Sequence, residues 1–403
     1  MINSYLNKFG FTNLEIKDIL CNKALINYNE DTLYNKLIDI FDYLLSIGYT
    51  KNEIKYTIKN QPTILGLSIN NLKQKLNDLE KLGFLKDDVI RILESCPAVY
   101  TLNIENIKNK IIDLKLLGYK ESEVLRIVRG LPIILNYRID RIKMRINDIV
   151  KLGYTNNEVI NMIKIMPSVL TYSFNNMQQK IKDLELLGYS YNNIIKITKA
   201  FPVFYRMNIE TIKYKLHELM SLGYKQQDVI KISLNLPSIY CYDIETLKQK
   251  IKELEMLGYK RSEVLYITLI FPNIYSLSIE NIKNKFKDLE YLGYSQSEII
   301  KITLGLPSIF GLSEKNIKEK IDFYKSIGLR DIVVLSPKEL MQSIELSYAR
   351  YEFYKSIGIT IDIKNYRKLF IGQSKFKNYY GYANSEIVEK FCIKKLALKK
   401  GVI

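Results

Sequence analysis

Apolar positions along this chain keep the step of a helix face and nowhere alternate with period two. In residues 68–102, Ile69, Leu72, Leu76 and Leu79 fall on one side of a helix that Ser68 opens as N-cap. The equivalent cap positions are Asn103, Ser173, Asn208, Asp243, Ser278 and Ser313, with only Arg138 departing. Gly83 stops the helix, and Phe84 behind it is placed to pack back on Leu79, as in a Schellman cap. The same aromatic recurs as Tyr49, Tyr119, Tyr154, Tyr189, Tyr224, Tyr259 and Tyr294, and reads as a structural cap. A second helix follows. Thr50/Glu53, Thr155/Glu158 and Ser295/Glu298 carry its capping-box spacing, and Val89, Ile90, Ile92 and Leu93 typify its apolar run. Pro97 ends it, and the stretch after Pro97 has room only for a tight 3₁₀ turn.

This unit repeats every 35 residues. Glycines at 48, 83, 118, 153, 188, 223, 258, 293 and 328 keep the step, as do prolines at 62, 97, 132, 167, 202, 237, 272 and 307. A fixed period of that size marks a solenoid, because one small repeat cannot bury its own apolar face and must stack on its neighbours. The fold class is therefore an all-α solenoid of tandem repeats, each two helices plus a short 3₁₀ turn. The ends are degenerate, as capping units are: Phe9-Gly10-Phe11-Thr12 is an early copy of the glycine motif. At the other end Phe-Tyr-Lys-Ser-Ile-Gly at 323–328 returns at 353–358. We expect a repeat array over 1–365 and a basic C-terminal segment over 366–403, which keeps no register.

Charge adds a candidate ligand. The net charge is +17, of which +7 lies in the 67 residues from Pro337 onward. A basic balance favours nucleic acid or another anionic partner, although an Asn, Lys, Ile and Tyr-rich composition also follows from genomic base bias, so placement matters more than the total. One column is basic in every repeat: Lys75, Lys110, Arg145, Lys180, Lys215, Lys250, Lys285 and Lys320. A neighbouring column, Lys73, Lys108, Lys143, Gln178, Lys213, Lys248, Lys283 and Lys318, is nearly so. A row of cations at constant pitch suits a phosphate backbone. The bland alternative is that Asp78, Asp113, Asp148, Asp183, Glu218, Glu253 and Asp288, three residues on, form solvated i,i+3 pairs with the first column. The second helices add Arg91, Arg126, Lys196, Lys231 and Lys301 in a variable column interrupted by Asn161 and Tyr266. Variation suits positions facing bases or a partner, and idle surface varies as well.

Other chemistry is thin. Cys21, Cys96, Cys241 and Cys392 have no paired spacing and His217 is the one histidine, so no metal site, cofactor or catalytic centre is expected. His217 falls in a mixed surface column and reads as exposed. No P-loop or GxGxxG appears, and the acidic column repeats with basic neighbours, unlike a perturbed pair in a cleft. No apolar run reaches membrane-span length. The first 20 residues contain Glu15 and Asp18 and lack Arg, which makes them neither a signal peptide nor a good transit peptide. We expect a monomer in a reducing compartment: the cytoplasm of a bacterium, or a mitochondrion or other organelle of a eukaryote.

The parsed repeat resembles the mitochondrial transcription termination factor family. Leu292-Gly293-Tyr294-Ser295-Gln296-Ser297-Glu298-Ile299, then Pro307-Ser308-Ile309-Phe310 and Ser313, carries the resemblance, as does Leu187-Gly188-Tyr189-Ser190 with Pro202-Val203-Phe204. It extends over about residues 10–330. Tetratricopeptide, pentatricopeptide and HEAT units place their small residues and prolines elsewhere. The resemblance implies a curved superhelix with a basic groove that binds double-stranded DNA, or structured RNA in ribosome assembly, and a role in transcription or its termination. The competing reading from the residues is a protein-interaction scaffold, suggested by the many tyrosines and the acids beside the lysines.

Overall fold

The computed structural model describes residues 1–23, 25 and 27–391. Those residues form α-helices and 3₁₀ turns with no strand, in the order the periodicity sets. They fall into two compact units, Met1–Ile209 and a second from Glu210 onward. Each unit is an all-α stack of the same triangular repeat.

In the repeat from Ser68 to Leu102, helices Ile69–Lys81 and Lys86–Ser95 are followed by the 3₁₀ turn Pro97–Thr101. The Ser68 hydroxyl accepts the Asn71 N–H at 3.1 Å, which satisfies one of the free amides of the helix start. Gly83 takes φ +96°, and the Phe84 N–H returns to the Leu79 carbonyl at 3.4 Å. Only glycine adopts that φ without strain, so the stop is built into the backbone. Arg138, the exception among the N-caps, makes no side-chain cap bond. Leu72, Leu79, Val89, Leu93 and Val99 are fully buried, each contributing about 1.5–3 kcal/mol against leaving it in water.

The array tapers at both ends. Near the N-terminus, Gly10 at φ +80° ends helix Ile2–Lys8, and the Thr12/Glu15 capping box opens Asn13–Leu20. Toward the C-terminus the second helix shrinks to Ile332–Leu335 and is missing after Ile344–Ser356, where the turn Tyr366–Phe370 follows directly. Helices Gln373–Tyr380 and Asn384–Phe391 come next. Phe353 lies 5.3–5.8 Å, centroid to centroid, from Phe376, Tyr380, Tyr382 and Phe391, so these helices share a core with Ile344–Ser356. Of the segment expected over 366–403, residues 392–403 lie outside the described residues, and Cys392 with them. Cys96 is buried, Cys21 and Cys241 are exposed, and all three are free thiols. No helix among the described residues is long and apolar enough to cross a membrane.

Candidate nucleic-acid interface

The first-helix cations sit seven residues beyond each N-cap, which turns them toward the end of their own repeat. Lys75, Lys110, Lys250, Lys285 and Lys320 are buried. The Lys75 ammonium donates to the carbonyl of Leu102, the last residue of its triangle. Lys180 does the same to Met207 at 2.7 Å, Lys215 to Tyr242 at 3.2 Å and Lys285 to Leu312 at 3.0 Å. In the shortened C-terminal repeat Lys320 reaches Leu340 at 2.5 Å. Lys75, Lys180, Lys215, Lys285 and Lys320 thus each tie the first helix of a repeat to the turn that ends it by capping a backbone carbonyl. Burial pulls Lys75, Lys180 and Lys320 below the ordinary lysine value.

The i,i+3 pairs also form: Lys110–Asp113 at 3.4 Å, Arg145–Asp148 at 3.5 Å, Lys215–Glu218 at 2.8 Å, Lys250–Glu253 at 3.1 Å and Lys285–Asp288 at 3.6 Å. They are not solvated surface pairs, because the cation of each is largely covered. The column that the sequence sets against a phosphate backbone is therefore turned inward and held by protein. Two members escaped the 35-residue register: Lys36, seven residues after Asn29, reaches the Leu67 carbonyl at 3.5 Å, and Arg350, seven after Ser343, donates to Leu369 at 2.8 Å. Counting from the N-cap finds both.

Further bonds join repeat to repeat and occupy other polar columns. The Tyr154 hydroxyl meets Thr198 Oγ1 at 2.5 Å and Tyr205 Oη at 2.6 Å, 44 and 51 residues on. Tyr224 meets Tyr275 at 2.6 Å, Tyr259 meets Thr303 at 2.5 Å, and Tyr49 meets Tyr100 at 2.9 Å. The recurrent aromatic is a helix cap, as expected, and at Tyr49, Tyr154, Tyr224 and Tyr259 it is also a buried staple to the next repeat. On the surface, capping-box acids bind cations of the following repeat: Glu123–Lys164 at 3.1 Å and Glu158–Lys199 at 2.6 Å, with Asp88–Arg129 at 3.2 Å in the same relation. The lysine hydrogen bond, then the Thr155 amide, hold the Glu158 carboxyl down at about 2.

The second-helix column is uncommitted along its whole length. Arg91, Arg126 and Lys196 in the first unit, and Lys231 and Lys301 in the second, are all exposed. None has an ion pair or side-chain hydrogen bond among the described residues. Tyr56, Asn161 and Tyr266 fill the other places of that column and are exposed too. On the first helices the Lys73 column is also exposed, but it is partly engaged. Lys108 pairs with Glu105 at 2.6 Å and Lys248 with Glu245 at 2.7 Å, while Lys73 and Lys318 lie over the rings of Tyr43 and Tyr291. His217 is exposed, its Nδ1 2.9 Å from the Lys213 carbonyl. Exposed cations outside any salt bridge, five in eight repeats and each on a helix, can neutralise phosphates at little desolvation cost.

The mTERF family model matches this sequence in four overlapping stretches, residues 1–151, 39–221, 140–254 and 199–357. The chain belongs to the mTERF family. Membership makes it a helical-repeat protein of a nucleic-acid-binding family, and the repeat that its glycines and prolines delimit is the mTERF repeat. No curated protein matches the chain.

Proposed function

We propose that this mTERF protein binds a double-stranded nucleic acid, DNA in preference to RNA, and acts in transcription regulation or termination as a monomer in a reducing compartment. The observation that carries the binding is the second-helix column. Arg91, Arg126, Lys196, Lys231 and Lys301 are exposed and unpaired among the described residues, whereas the more regular first-helix cations are held by protein. If these five each neutralise one phosphate of B-form DNA, log K falls with log salt at a slope of about −4.5, which is about 500-fold between 50 and 200 mM. Titrating a labelled duplex at several salt concentrations tests this. Salt-insensitive binding, or no binding to DNA or RNA, refutes it. A duplex RNA of the same length in competition decides between DNA and the alternative of structured RNA in ribosome assembly.

A protein partner is the second reading, favoured by Leu116, Leu186, Met256 and Tyr291. These hold one equivalent position of four first helices and are each more than 80% exposed. A pull-down that survives nuclease and high salt supports it.

A further inference from the structure

The uncommitted column has a pattern of its own. Read from the N-terminus it runs Tyr56, Arg91, Arg126, Asn161, Lys196, Lys231, Tyr266, Lys301, so that a neutral side chain stands at every third repeat and cations at the rest. The three neutral residues are not apolar fillers. Each is exposed, Tyr56 at 49% and Tyr266 at 48%, and none has a side-chain hydrogen-bond partner among the described residues. Each keeps a free donor and acceptor: a phenol in two, a carboxamide in one. The neighbouring positions on the second helices behave differently. Val159, Met162 and Ile163 around Asn161, and Val264, Ile267 and Thr268 around Tyr266, are buried in the stack. Asn161 and Tyr266 are thus displayed from rigid helices, at the same register as the cations in the repeats before and after them.

A duplex offers such a column two kinds of surface. Where the backbone passes, it presents phosphates, which cations meet regardless of sequence; between the backbones it presents base edges and sugars. A carboxamide hydrogen-bonds a base edge in both directions, with adenine the best match in the major groove. A phenol hydrogen-bonds or packs without needing a charge. Resting on the duplex-binding reading above, we propose that Asn161 and Tyr266 are specificity-determining positions. Each faces a groove of the duplex held by its own unit and contacts base edges, while the cations flanking it there hold phosphates, Arg126 and Lys196 about Asn161, and Lys231 and Lys301 about Tyr266. The array then spends its repeats on two tasks, positioning and readout.

The test uses the full chain and a randomised duplex pool of about 30 base pairs, a length that offers many more phosphates than the column has cations. Affinity for the enriched duplex is compared with that for a scrambled one, for the parent and for Asn161→Ala, Tyr266→Ala and Lys231→Ala. Asn161→Ala and Tyr266→Ala are expected to lower the preference for the enriched duplex about tenfold and leave the salt slope unchanged. Lys231→Ala is expected to weaken both duplexes alike and reduce the slope by about 1. The proposal is overturned if the pool enriches no sequence. It is also overturned if the neutral-position variants weaken both duplexes equally, or change nothing. In those cases duplex binding with its salt slope still stands. Absence of any duplex binding removes the functional reading as well, and salt titration of the parent chain separates the two failures.

Discussion

Tyr119 should be better as phenylalanine. The residue is 4% exposed and its hydroxyl is fully buried with no hydrogen-bond partner among the described residues. The cause lies 44 and 51 residues on, where Tyr154 finds Thr198 and Tyr205 but the equivalent positions for Tyr119 hold Ile163 and Leu170. Phe84 occupies the matching place one repeat earlier, and its counterparts are the buried Val128 and Leu135. The repeat beginning at Asn103 thus combines a polar staple with an apolar socket. An unsatisfied buried hydroxyl costs about 1–3 kcal/mol, and removing one oxygen leaves a void too small to cancel that. Tyr119→Phe is expected to stabilise the chain by about 1 kcal/mol. Tyr154→Phe, which strips a partner from Thr198 and Tyr205, is expected to cost about 1–2 kcal/mol. Urea unfolding followed by helical circular dichroism measures both, read as midpoint shifts at constant slope. A repeat array need not unfold in one step, so the comparison holds only if the shape of the transition is common to all variants. A double-mutant cycle sharpens it: Ile163→Thr should be less harmful with Tyr119 present than in the Tyr119→Phe background. If Tyr119→Phe lowers stability as much as Tyr154→Phe does, the hydroxyl is satisfied in solution and the reasoning fails.

Two further expectations separate scaffold from surface. Lys285→Met keeps the aliphatic stem of a buried side chain but removes the bond to Leu312 and the pair with Asp288, so it should cost about 2 kcal/mol in the same assay and leave duplex affinity and salt slope unchanged; lost binding at unchanged stability would return the first-helix column to the ligand. Acid should weaken the staple between Glu158 and Lys199. The folded carboxyl sits at about 2 against an ordinary 4.5, so its contribution is complete above 4.5 and disappears as pH falls through about 2. The stability gap between the parent and Glu158→Gln should therefore narrow across that window, and a gap independent of pH would exclude the pair as its source.

Most of the fold was legible because its signals are local. A capping residue, a glycine free to take positive φ and a proline that cannot continue a helix act within a few residues, and repetition turns weak signals into a strong one. The hydroxyl staples were not legible, since nothing in Tyr154 itself announces Thr198 or Tyr205. The lysine clasp was hidden by its charge: an ammonium every 35 residues looks like surface until burial places it against a carbonyl. The last repeat was hidden by a broken period. Lys320 and Tyr324 donate to Leu340 and Glu339 at 2.5 and 3.5 Å, and Arg350 and Tyr354 repeat those bonds to Leu369 and Lys368 at 2.8 and 3.2 Å. The turn Tyr366–Phe370 is therefore the counterpart of Pro337–Met341, reached without a second helix between, and no fixed spacing could have aligned the two.

The candidate site inverts an inference that repetition invites. A residue unchanged from copy to copy answers a demand that every copy shares, and what every copy shares is its own geometry. Each triangle must close and each must lock to the next, so lysine and tyrosine recur for reasons internal to the fold. A nucleic acid makes a different demand. Its backbone is uniform but its bases are not, and successive repeats meet it at different places. Contacts with its bases have to vary along the column that makes them. The second-helix column does so, with arginine, asparagine, lysine and tyrosine at equivalent places, while its register, its exposure and its lack of salt bridges and side-chain hydrogen bonds among the described residues stay constant. In this chain the irregular column, held at a regular position, is the one on which the proposed binding rests.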